Sequence, residues 1–393
     1  MNQPHPIRVM DFRGTYKGGG GPDKTILNSA AQHDKKRVDI LVAYLRDPED
    51  REYQIDTWAQ SLGINYIDVP DRKLLDWNCI SSLKRIITAK NIQLLHAHDD
   101  KTSLYGWLLK LMLPKLHIMF TCHLHSPYTR AEFSSDLAYL RFKIRRKIQI
   151  FLMNRYQKPI LAVSHDTKRC ITKDGVNVND IETLHNGIDI DAWKTELGTP
   201  VLRKEFNIKE DEFLIGTVAR IAQKHKDLPT FYKVAAEIRK SIPQVKFVIV
   251  GDGHGDELTK AKNTVERLGL SDSLFFTGHR SDLLDIYASL DLFLMTSLTE
   301  GLPNTILEAM AMGVPVVSTA VAGVPEVVDH NTTGYLSPIG DVQGLSRQVI
   351  KLLRDRDLIK RFKQTSRERI EKEFSFAHRV KKMEDYYEHF VAE

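Results

Sequence analysis

The strongest constraint on the fold is a strand–helix–strand unit between residues 290 and 328. Its first strand is an apolar run, Leu290 to Met295, of the length expected for a buried strand of a parallel sheet. A helix begins near Thr305 and is terminated by Gly313. A second apolar run, Val314 to Thr319, completes the unit. The pattern predicts an α/β protein that binds its ligand where strands end and helices start.

Two carboxylates give this unit its chemistry: Glu300 in the loop and Glu308 in the helix. The helix start between them offers backbone N–H groups and a positive dipole end, which suit a phosphate. The carboxylates suit hydrogen bonds to sugar hydroxyls. The pair indicates a nucleotide sugar, with its pyrophosphate on the helix start, its ribose on one Glu and its hexose on the other. The alternative is two solvated glutamates without a ligand.

The residues around this pair closely resemble the Glu-x7-Glu signature of glycosyltransferase family 4. The matching segments are Glu300 to Asn304 through Glu308, Ala309 to Val317, and Gly323 to Glu326. The resemblance implies a retaining enzyme with the GT-B fold, in which two Rossmann-like, doubly wound domains face a central cleft and a C-terminal helix crosses back to the first domain. The donor-binding residues that it implies here are Glu300, Gly301, Leu302, Asn304, Thr305 and Glu308. It assigns the sugar hydroxyls to Glu300, a catalytic candidate, and the ribose to Glu308.

Length and composition agree with two domains in a globular protein. The chain has 393 residues, 42% of them hydrophobic and 27% charged. Its three cysteines form no Cys-x-x-Cys pair, which favours a reducing compartment, and neither a signal peptide nor a membrane-spanning run is present. We therefore expect a cytoplasmic protein. The predicted domains are residues 1–195, for the acceptor, and residues 196–375, for the nucleotide sugar, with a final helix over 376–393 that returns to the first.

A glycine run, Gly18 to Gly21, follows the first predicted strand and precedes a helix. Glycine lets backbone amides approach a phosphate, although a surface loop would have the same composition. The run resembles the Gly-Gly-x-Glu loop of the family, which implies donor contacts from Gly20 and Gly21. Asp23 stands where the family has Glu, so no role is assigned to it.

Histidines follow two further strands of the first half. His96 and His98 have a spacing that could ligate a metal, but no Cys or carboxylate cluster completes a site, so we expect no metal. Thr121-Cys122-His123 resembles the Thr-x-His motif of the family. This implies that His123 lies near the donor sugar as a catalytic candidate, whereas a core histidine is the alternative.

A basic loop follows the first strand of the second half, Phe213 to Val218. It resembles the family's Gly-Arg-Leu…Lys-Gly loop, whose Arg and Lys hold the donor pyrophosphate. The resemblance implies that Arg220 and Lys224 bind the donor and stabilise the leaving diphosphate, in place of a metal. The loop is one residue short and His225 replaces the Gly, so Lys226 is the alternative to Lys224.

Two more predicted strand ends complete the expected donor site. Gly251 follows the strand Val245 to Val250, and Arg280 follows the strand Leu274 to Gly278. The resemblance implies that the first helps to form the donor pocket. It also implies that backbone groups at the second bind the nucleobase.

The positive charge lies in the first half. Net charge is +5, and the first 198 residues hold 29 Lys and Arg against 23 Asp and Glu, while the rest hold 27 against 28. Leu137 to Lys158 contains seven basic residues and no acid, around apolar positions at helical spacing. One interpretation is a core helix with a solvated basic side; the other is reversible contact with an anionic membrane. No motif indicates nucleic-acid binding.

Together these features predict a hexosyltransferase without a cofactor or metal. It would transfer a sugar with retention from a UDP- or GDP-sugar to a glycan or lipid-linked acceptor of bacterial envelope polysaccharide synthesis, at the inner face of the membrane. A GT-B sugar-nucleotide epimerase or phosphorylase is an alternative, and a non-catalytic membrane-associated scaffold is another.

Overall fold

The computed structural model describes residues 5–15, 19–73, 75–123, 130, 133–253 and 255–392, with only the backbone of residue 392. Gly18 of the predicted glycine run lies outside these residues. The chain forms two compact units. The first comprises Met1–Asn186 and Phe376–Glu393, and the second comprises Gly187–Ser375.

The first unit is built on a parallel sheet of seven strands in the order β3-β2-β1-β4-β5-β6-β7. The strands are β1 Ile7–Gly14, β2 Val38–Arg46, β3 Asn65–Pro70, β4 Leu94–Ala97, β5 His117–Cys122, β6 Ile160–Ala162 and β7 Ile181–Thr183. The helices between them are α1 Gly21–Gln32, α2 Ile55–Ser61, α3 Trp77–Ala89, α4 Asp100–Met112, α5 Asp136–Tyr156 and α6 His165–Lys173.

Hydrophobic side chains cover both faces of this sheet, because successive residues of a strand point to opposite faces. One core contains Val9 of β1 and Ile26 of α1, and the other contains Met10 of β1 and Leu83 of α3. The strand order reverses between β1 and β4. Ligands of doubly wound sheets bind at such a reversal, beyond the carboxyl ends of the strands.

The second unit repeats this plan with six parallel strands in the order β10-β9-β8-β11-β12-β13. The strands are β8 Leu214–Val218, β9 Lys246–Val250, β10 Leu274–Gly278, β11 Leu292–Met295, β12 Val316–Thr319 and β13 Gly334–Ser337. The helices are α7 Val201–Glu205, α8 Leu228–Ser241, α9 Asp256–Arg267, α10 Leu283–Ala288, α11 Asn304–Ala311, α12 Val324–Val327, α13 Val342–Arg354 and α14 Arg356–Glu373. Here the strand order reverses between β8 and β11, so the predicted strand–helix–strand unit lies at the reversal.

The division between the units comes earlier in the chain than residue 195. Residues 187–195 group with the second unit because α11 and α14 hold them. The backbone N–H of Ile188 donates to the carbonyl of Phe374 at 2.8 Å, and Thr195 Oγ1 donates to the carbonyl of Met312 at 2.7 Å. These contacts join residues far apart in sequence, so local composition did not indicate them.

The last helix, α15 Phe376–Ala392, packs on the first unit as predicted. Tyr387 is buried against α1 and the sheet, and its hydroxyl lies 2.8 Å from Nδ1 of His96. Arg37 donates to Glu384 and Glu388, both on α15. A buried aromatic side chain and a group of ion pairs therefore attach this helix.

The predicted basic helix is α5, and its apolar row faces outward. The row consists of Leu137, Leu140, Ile144, Ile148 and Phe151, which are 47–58% exposed. The side of the helix that packs on the unit contains Leu152 and Met153 instead. The interpretation that places this row in the core is therefore wrong. Within the described residues, no helix is long and apolar enough to cross a membrane.

Candidate active site

Glu300 lies in the loop after β11 and is only 8% exposed. Its Oε1 accepts two hydrogen bonds at 2.7 Å, one from Lys226 Nζ and one from Ser297 Oγ. Burial of a carboxylate without hydrogen-bond partners is costly, and these two donors supply such partners. Both bonds reach the same oxygen, so Oε2 is left for a ligand. The two fixed donors therefore orient this carboxylate.

Lys226, and not Lys224, reaches Glu300 because of how its loop is tied to the segment after β11. The N–H of Leu298 donates to the carbonyl of His225 at 2.7 Å, and Thr296 Oγ1 donates to that of Asp227 at 3.0 Å. These bonds turn the ammonium of Lys226 toward the carboxylate. Lys224 is exposed and has no ion-pair partner within the described residues.

Arg220 follows β8 in the same loop, with 45% of its side chain exposed. Its Nε lies 4.0 Å from Oδ1 of Asp252, beyond hydrogen-bonding distance. Gly251 shapes this region: its φ is +149°, and a Cβ there would lie 2.2 Å from the carbonyl oxygen of Ala219. Only glycine allows the two strand ends to approach this closely. Gly251 therefore sets the path of the backbone that carries Arg220.

Arg280 lies beyond the end of β10, and its guanidinium is already engaged. It donates to both carboxylate oxygens of Asp282, at 2.8 and 2.6 Å, and to Glu205 at 2.8 Å. The hydrogen bonds from Asp282 and then Glu205 raise the pKa of Arg280. Its side chain thus stabilises the turn after β10.

Glu308 lies within α11 and is 3% exposed. The hydroxyl of Tyr287 donates to its Oε2 at 2.9 Å. Burial raises the pKa of Tyr287 well above its ordinary value, so this hydroxyl stays a donor. Because Glu300 and Glu308 are both buried and hydrogen-bonded, the interpretation of two solvated glutamates is wrong.

The start of α11 lies between the two carboxylates. Pro303 occupies the N-cap, and no side chain caps this end. Asn304 and Thr305 form the first turn, where the positive end of the helix dipole lies. Leu302 is buried, and the carbonyl of Gly301 accepts a hydrogen bond from the N–H of Gly323 at 3.1 Å. The loop that presents the helix start is therefore fixed from both sides.

In the first unit, Asp23 holds the glycine loop. This residue is 1% exposed, and its carboxylate accepts hydrogen bonds from the N–H of Gly20 at 2.6 Å, Arg13 Nε at 2.7 Å and Tyr44 Oη at 2.8 Å. Gly21 is the first residue of α1. Sequence reasoning assigned no role to Asp23, although an acid at the third position of a helix can accept a hydrogen bond from the N–H of the N-cap residue.

His123 directly follows β5 and belongs to a hydrogen-bonded chain of side chains. Its Nε2 lies 2.9 Å from Nδ1 of His98, and Nε2 of His98 is hydrogen-bonded to Asp11. His96 lies beside them, 2.8 Å from Tyr387 Oη and 2.7 Å from Thr121 Oγ1. Sequence reasoning missed Asp11, because β1 alone does not show which strand end it faces.

Burial keeps the three histidines of this hydrogen-bonded network neutral. It lowers the pKa of His96, His98 and His123 well below 6.5, and it raises the pKa of Asp11. When Asp11 is ionised, a neutral His98 donates its Nε2–H to Asp11 and accepts at Nδ1 from the Nε2–H of His123; a protonated Asp11 would instead donate to His98 and reverse both tautomers. With Asp11 ionised, Nδ1 of His123 is an acceptor, and it is buried without a partner among the described residues.

The same cluster contains a geometric candidate for a metal site. Asp11, His96 and His98 offer ligand atoms within 4.8 Å of one another. Both ring nitrogens of each histidine already have hydrogen-bond partners in the protein. A metal would have to displace these partners, so the donor set fits an orienting network better than a metal site.

Two family models match the chain and together span most of it. "Glycosyl transferases group 1" matches residues 199–369, and "Glycosyltransferase Family 4" matches residues 19–192. N-acetyl-alpha-D-glucosaminyl L-malate synthase of Bacillus anthracis is 29% identical over 336 residues, which cover 84% of this chain and 83% of that protein. The UDP-Gal:alpha-D-GlcNAc-diphosphoundecaprenol alpha-1,3-galactosyltransferase of Escherichia coli is 24% identical over 79% of each chain.

The solved structures agree on the fold. HepE of Anabaena, crystallised with UDP and glucose, superimposes with a TM-score of 0.82 at 20% identity, over 97% of this chain and 99% of that one. Sucrose-phosphate synthase of Thermosynechococcus elongatus gives a TM-score of 0.78 at 18% identity, over 98% and 99%. The chain is therefore a glycosyltransferase that belongs to family 4 and has the GT-B fold, with two Rossmann-like units of parallel sheet.

Proposed function

We propose that the protein transfers a hexose, with retention of configuration, from a nucleotide diphosphate sugar to a hydroxyl group of a glycan or lipid-linked acceptor. The observation that carries this proposal is the ion pair between the partly buried Lys226 and the buried Glu300 in the loop after β11. It places a cation and an oriented carboxylate beside the start of α11. A sugar diphosphate needs both, since its phosphates are anionic and its hydroxyls donate hydrogen bonds.

In this proposal the second unit binds the donor. The pyrophosphate lies at the start of α11, with the cations of Arg220 and Lys226 on its oxygens. Lys226 replaces Lys224 in this role because its ammonium is already held beside Glu300. Oε2 of Glu300 orients the sugar hydroxyls, and Glu308 accepts from the ribose. Gly20 and Gly21 of the first unit are proposed to contact the donor through their backbone.

The proposed reaction forms a bond between the acceptor oxygen and the anomeric carbon and breaks the bond from that carbon to the phosphate. The acceptor attacks the face that the phosphate leaves, and a phosphate oxygen takes the acceptor proton. Negative charge grows on the leaving diphosphate, which Arg220 and Lys226 stabilise. These cations make a metal unnecessary, so activity should persist in excess EDTA; a strict requirement for Mg²⁺ or Mn²⁺ would contradict this mechanism.

His123 is proposed to accept a hydrogen bond from a sugar hydroxyl at Nδ1. Asp11 and His98 act as positioning residues, since they fix the tautomer that leaves this nitrogen without a proton. The neutral state of His123 supports this role, because a protonated imidazole has no nitrogen that could accept a hydrogen bond.

The relatives suggest the donor and the acceptor. One relative is named for UDP-Gal and a diphosphoundecaprenol acceptor, and HepE was crystallised with UDP. We therefore propose a UDP-sugar as the donor, in preference to a GDP-sugar, and an acceptor of envelope polysaccharide or glycolipid synthesis. Such an acceptor is reached from the cytoplasm at the inner face of the membrane, through reversible contact of the segment Leu137–Lys158 with anionic lipid.

A thermal-shift panel of UDP, GDP and their sugars tests the donor assignment. A ligand at about 100 times its Kd stabilises the folded chain by about 2.7 kcal/mol. We expect UDP and one UDP-sugar to raise the unfolding temperature, and the stabilising sugar to be transferred to a hydroxyl acceptor. Stabilisation by neither nucleotide would refute the proposal. Phosphorolysis or epimerisation without transfer would assign the site to another reaction.

A further inference from the structure

The outward row of α5 is a continuous apolar stripe. Its residues follow one another at steps of three or four, so they lie on one side of the helix. The stripe runs from Leu137 to Phe151, about 21 Å at 1.5 Å per residue. The side chains on it are about half exposed, while Leu152 and Met153 of the same helix are buried. The helix thus has two apolar sides, and the unit covers only one of them.

Cations border this stripe on both edges. At about 100° per residue, Arg141 falls on one edge and Lys143 and Lys147 fall on the other. All three are exposed, and none has an acidic partner within the described residues. Arg146 differs, since it points toward the unit and pairs with Asp174 at 2.8 Å. The exposed surface is therefore apolar along its centre and positive along its sides.

An open groove of about 670 Å³ continues the surface at the C-terminal end of α5. Arg155, Tyr156 and Lys158 line it from α5 and the following loop. Phe151 of the stripe packs edge-on against Tyr156, with ring centroids 6.2 Å apart, so the stripe and the groove are contiguous.

The groove also contains cations that the protein does not neutralise. Lys110 lines it from α4, and burial lowers the pKa of this lysine. Neither Lys110 nor Arg155 has an acidic partner in the described part of the chain. Lys158 is paired with Asp180 at 2.9 Å, and Glu182 also lines the groove. An anionic group between Lys110 and Arg155 would complete the site.

We propose that the α5 stripe and this groove form one docking surface for an anionic lipid bilayer. The apolar stripe enters the boundary between headgroups and acyl chains, the bordering cations meet the negative surface, and the groove takes one phosphate-bearing headgroup. This inference rests on the proposed function, in which the acceptor is reached at a membrane. It adds the face of the protein that turns toward the lipid and the residues that touch it.

Charge favours a bilayer over a second copy of the chain as the occupant. A two-fold contact through the stripe would bring the cations that border one stripe (Arg141, Lys143 and Lys147) toward those that border the other, because the same patch is used twice. The sequence from Leu137 to His165 contains no acid that could compensate. An anionic surface has the opposite sign and attracts these cations.

Sedimentation with vesicles of phosphatidylcholine, with and without phosphatidylglycerol, tests the proposal. The full chain should bind only the anionic vesicles. Binding should weaken between about 0.1 and about 1 M salt, as the screening length falls from about 10 to about 3 Å. Removal of three cations in R141S/K143S/K147S should lower affinity about 100-fold, at roughly a factor of five for each cation. The control K260S/K262S/R267S removes three cations from α9 of the second unit and should bind normally.

A second variant and its control test the apolar stripe of α5. L140Q/I144Q/I148Q should lower affinity at least about tenfold without changing the unfolding temperature much, since these side chains are exposed. The control L197Q/I339Q changes exposed apolar residues of the second unit, 58% and 49% exposed, and should have no effect. Equal binding to both vesicle types, or binding insensitive to salt, would overturn the proposal. A dimer in analytical ultracentrifugation that L140Q/I144Q/I148Q abolishes would assign the stripe to a second copy instead.

The groove is tested by K110S/R155S, which should lower affinity for the anionic vesicles about 25-fold, at the same factor of about five for each cation. Inorganic phosphate alone should not raise the unfolding temperature of the unaltered chain. A rise that K110S/R155S removes would show a site for free phosphate and overturn the headgroup assignment. Vesicle binding is measured without a nucleotide sugar and UDP stabilisation without vesicles, so failure of one proposal is distinguishable from failure of the other.

Discussion

The side chains at the strand ends of the two units differ in charge. In the first, the strand ends carry His98, which is buried, and His123, which is partly buried. Both are neutral and belong to a hydrogen-bonded chain of side chains that begins at Asp11. In the second, they carry Glu300 paired with Lys226, and Arg220 in the loop that follows β8. The same doubly wound plan thus supports a neutral hydrogen-bonding network in one case and a charged site in the other.

The difference follows from what surrounds each strand end. Around His98 and His123, buried side chains and the tyrosine of α15 exclude water, which penalises every charge. In the second unit the cations stay partly exposed, 17% for the side chain of Lys226 and 45% for that of Arg220. A charged site suits phosphates, and a neutral acceptor suits hydroxyl groups. Four predictions test this contrast, from the largest expected effect to the smallest.

The charged site should depend on Lys226. Lys226→Ala removes the cation held beside Glu300, and we expect it to lower turnover by about 10²- to 10³-fold, as for the loss of one donor to a growing negative charge. Lys224→Ala is the matched control and should change turnover little, because that side chain is exposed. Steady-state kinetics with the donor measure both variants. A large fall in turnover for Lys224→Ala with a small fall for Lys226→Ala would reverse the assignment. Arg220→Ala should lower turnover about as much as Lys226→Ala.

The two buried glutamates should divide the donor between them. Glu308→Gln should weaken binding of UDP, because this carboxylate is assigned to the ribose. Glu300→Gln should reduce transfer while nearly preserving UDP affinity, because it is assigned to the sugar. Calorimetric titration with UDP, together with turnover, separates the two effects. Equal loss of UDP affinity in both variants would disprove this division.

Asp11 and His98 should affect catalysis by setting the tautomer of His123. In Asp11→Asn, the amide can donate to Nε2 of His98, so Nδ1 of His98 carries the proton and His123 is left with a proton on Nδ1. We expect about a tenfold fall in kcat, less than the 10²- to 10⁴-fold expected of a direct acid–base group, with UDP affinity unchanged. The ¹⁵N shifts of the histidine rings report the tautomers directly. Unaltered ring shifts together with a lower kcat would rule out the positioning role.

The first unit should lose stability in mild acid. The folded-state pKa values of His96, His98 and His123 lie below 6.5, so the unfolded chain binds protons that the folded chain does not. The stability that these neutral histidines give to the folded chain is fully present above about pH 6.5 and is lost as the pH falls below that value. The raised pKa of Asp11 acts in the opposite sense, because the folded chain then binds a proton that the unfolded chain does not.

Thermal unfolding followed between about pH 7.5 and about pH 5.5 measures this effect. A stability that does not fall with acidification would show that the buried histidines are already protonated in the folded chain.

Much of the fold could be predicted because its signals are local. The apolar runs before Glu300 and after Gly313 lie within one short segment, and their lengths identify buried strands whatever packs on them. The same holds for the spacing of Glu300 and Glu308, which one loop and one helix determine. The two-domain plan and the return of the last helix followed from the family resemblance, and the structure confirms both.

The sequence by itself thus determined the strand–helix–strand unit and the residue types at its ends. Only the tertiary structure decided which lysine meets Glu300, because that depends on hydrogen bonds between loops that are about 70 residues apart. It also decided that Asp11 faces His98, 87 residues away, and that the apolar row of α5 points outward. Helical periodicity shows that a row exists, but the direction of that row depends on what the opposite side of the helix packs against.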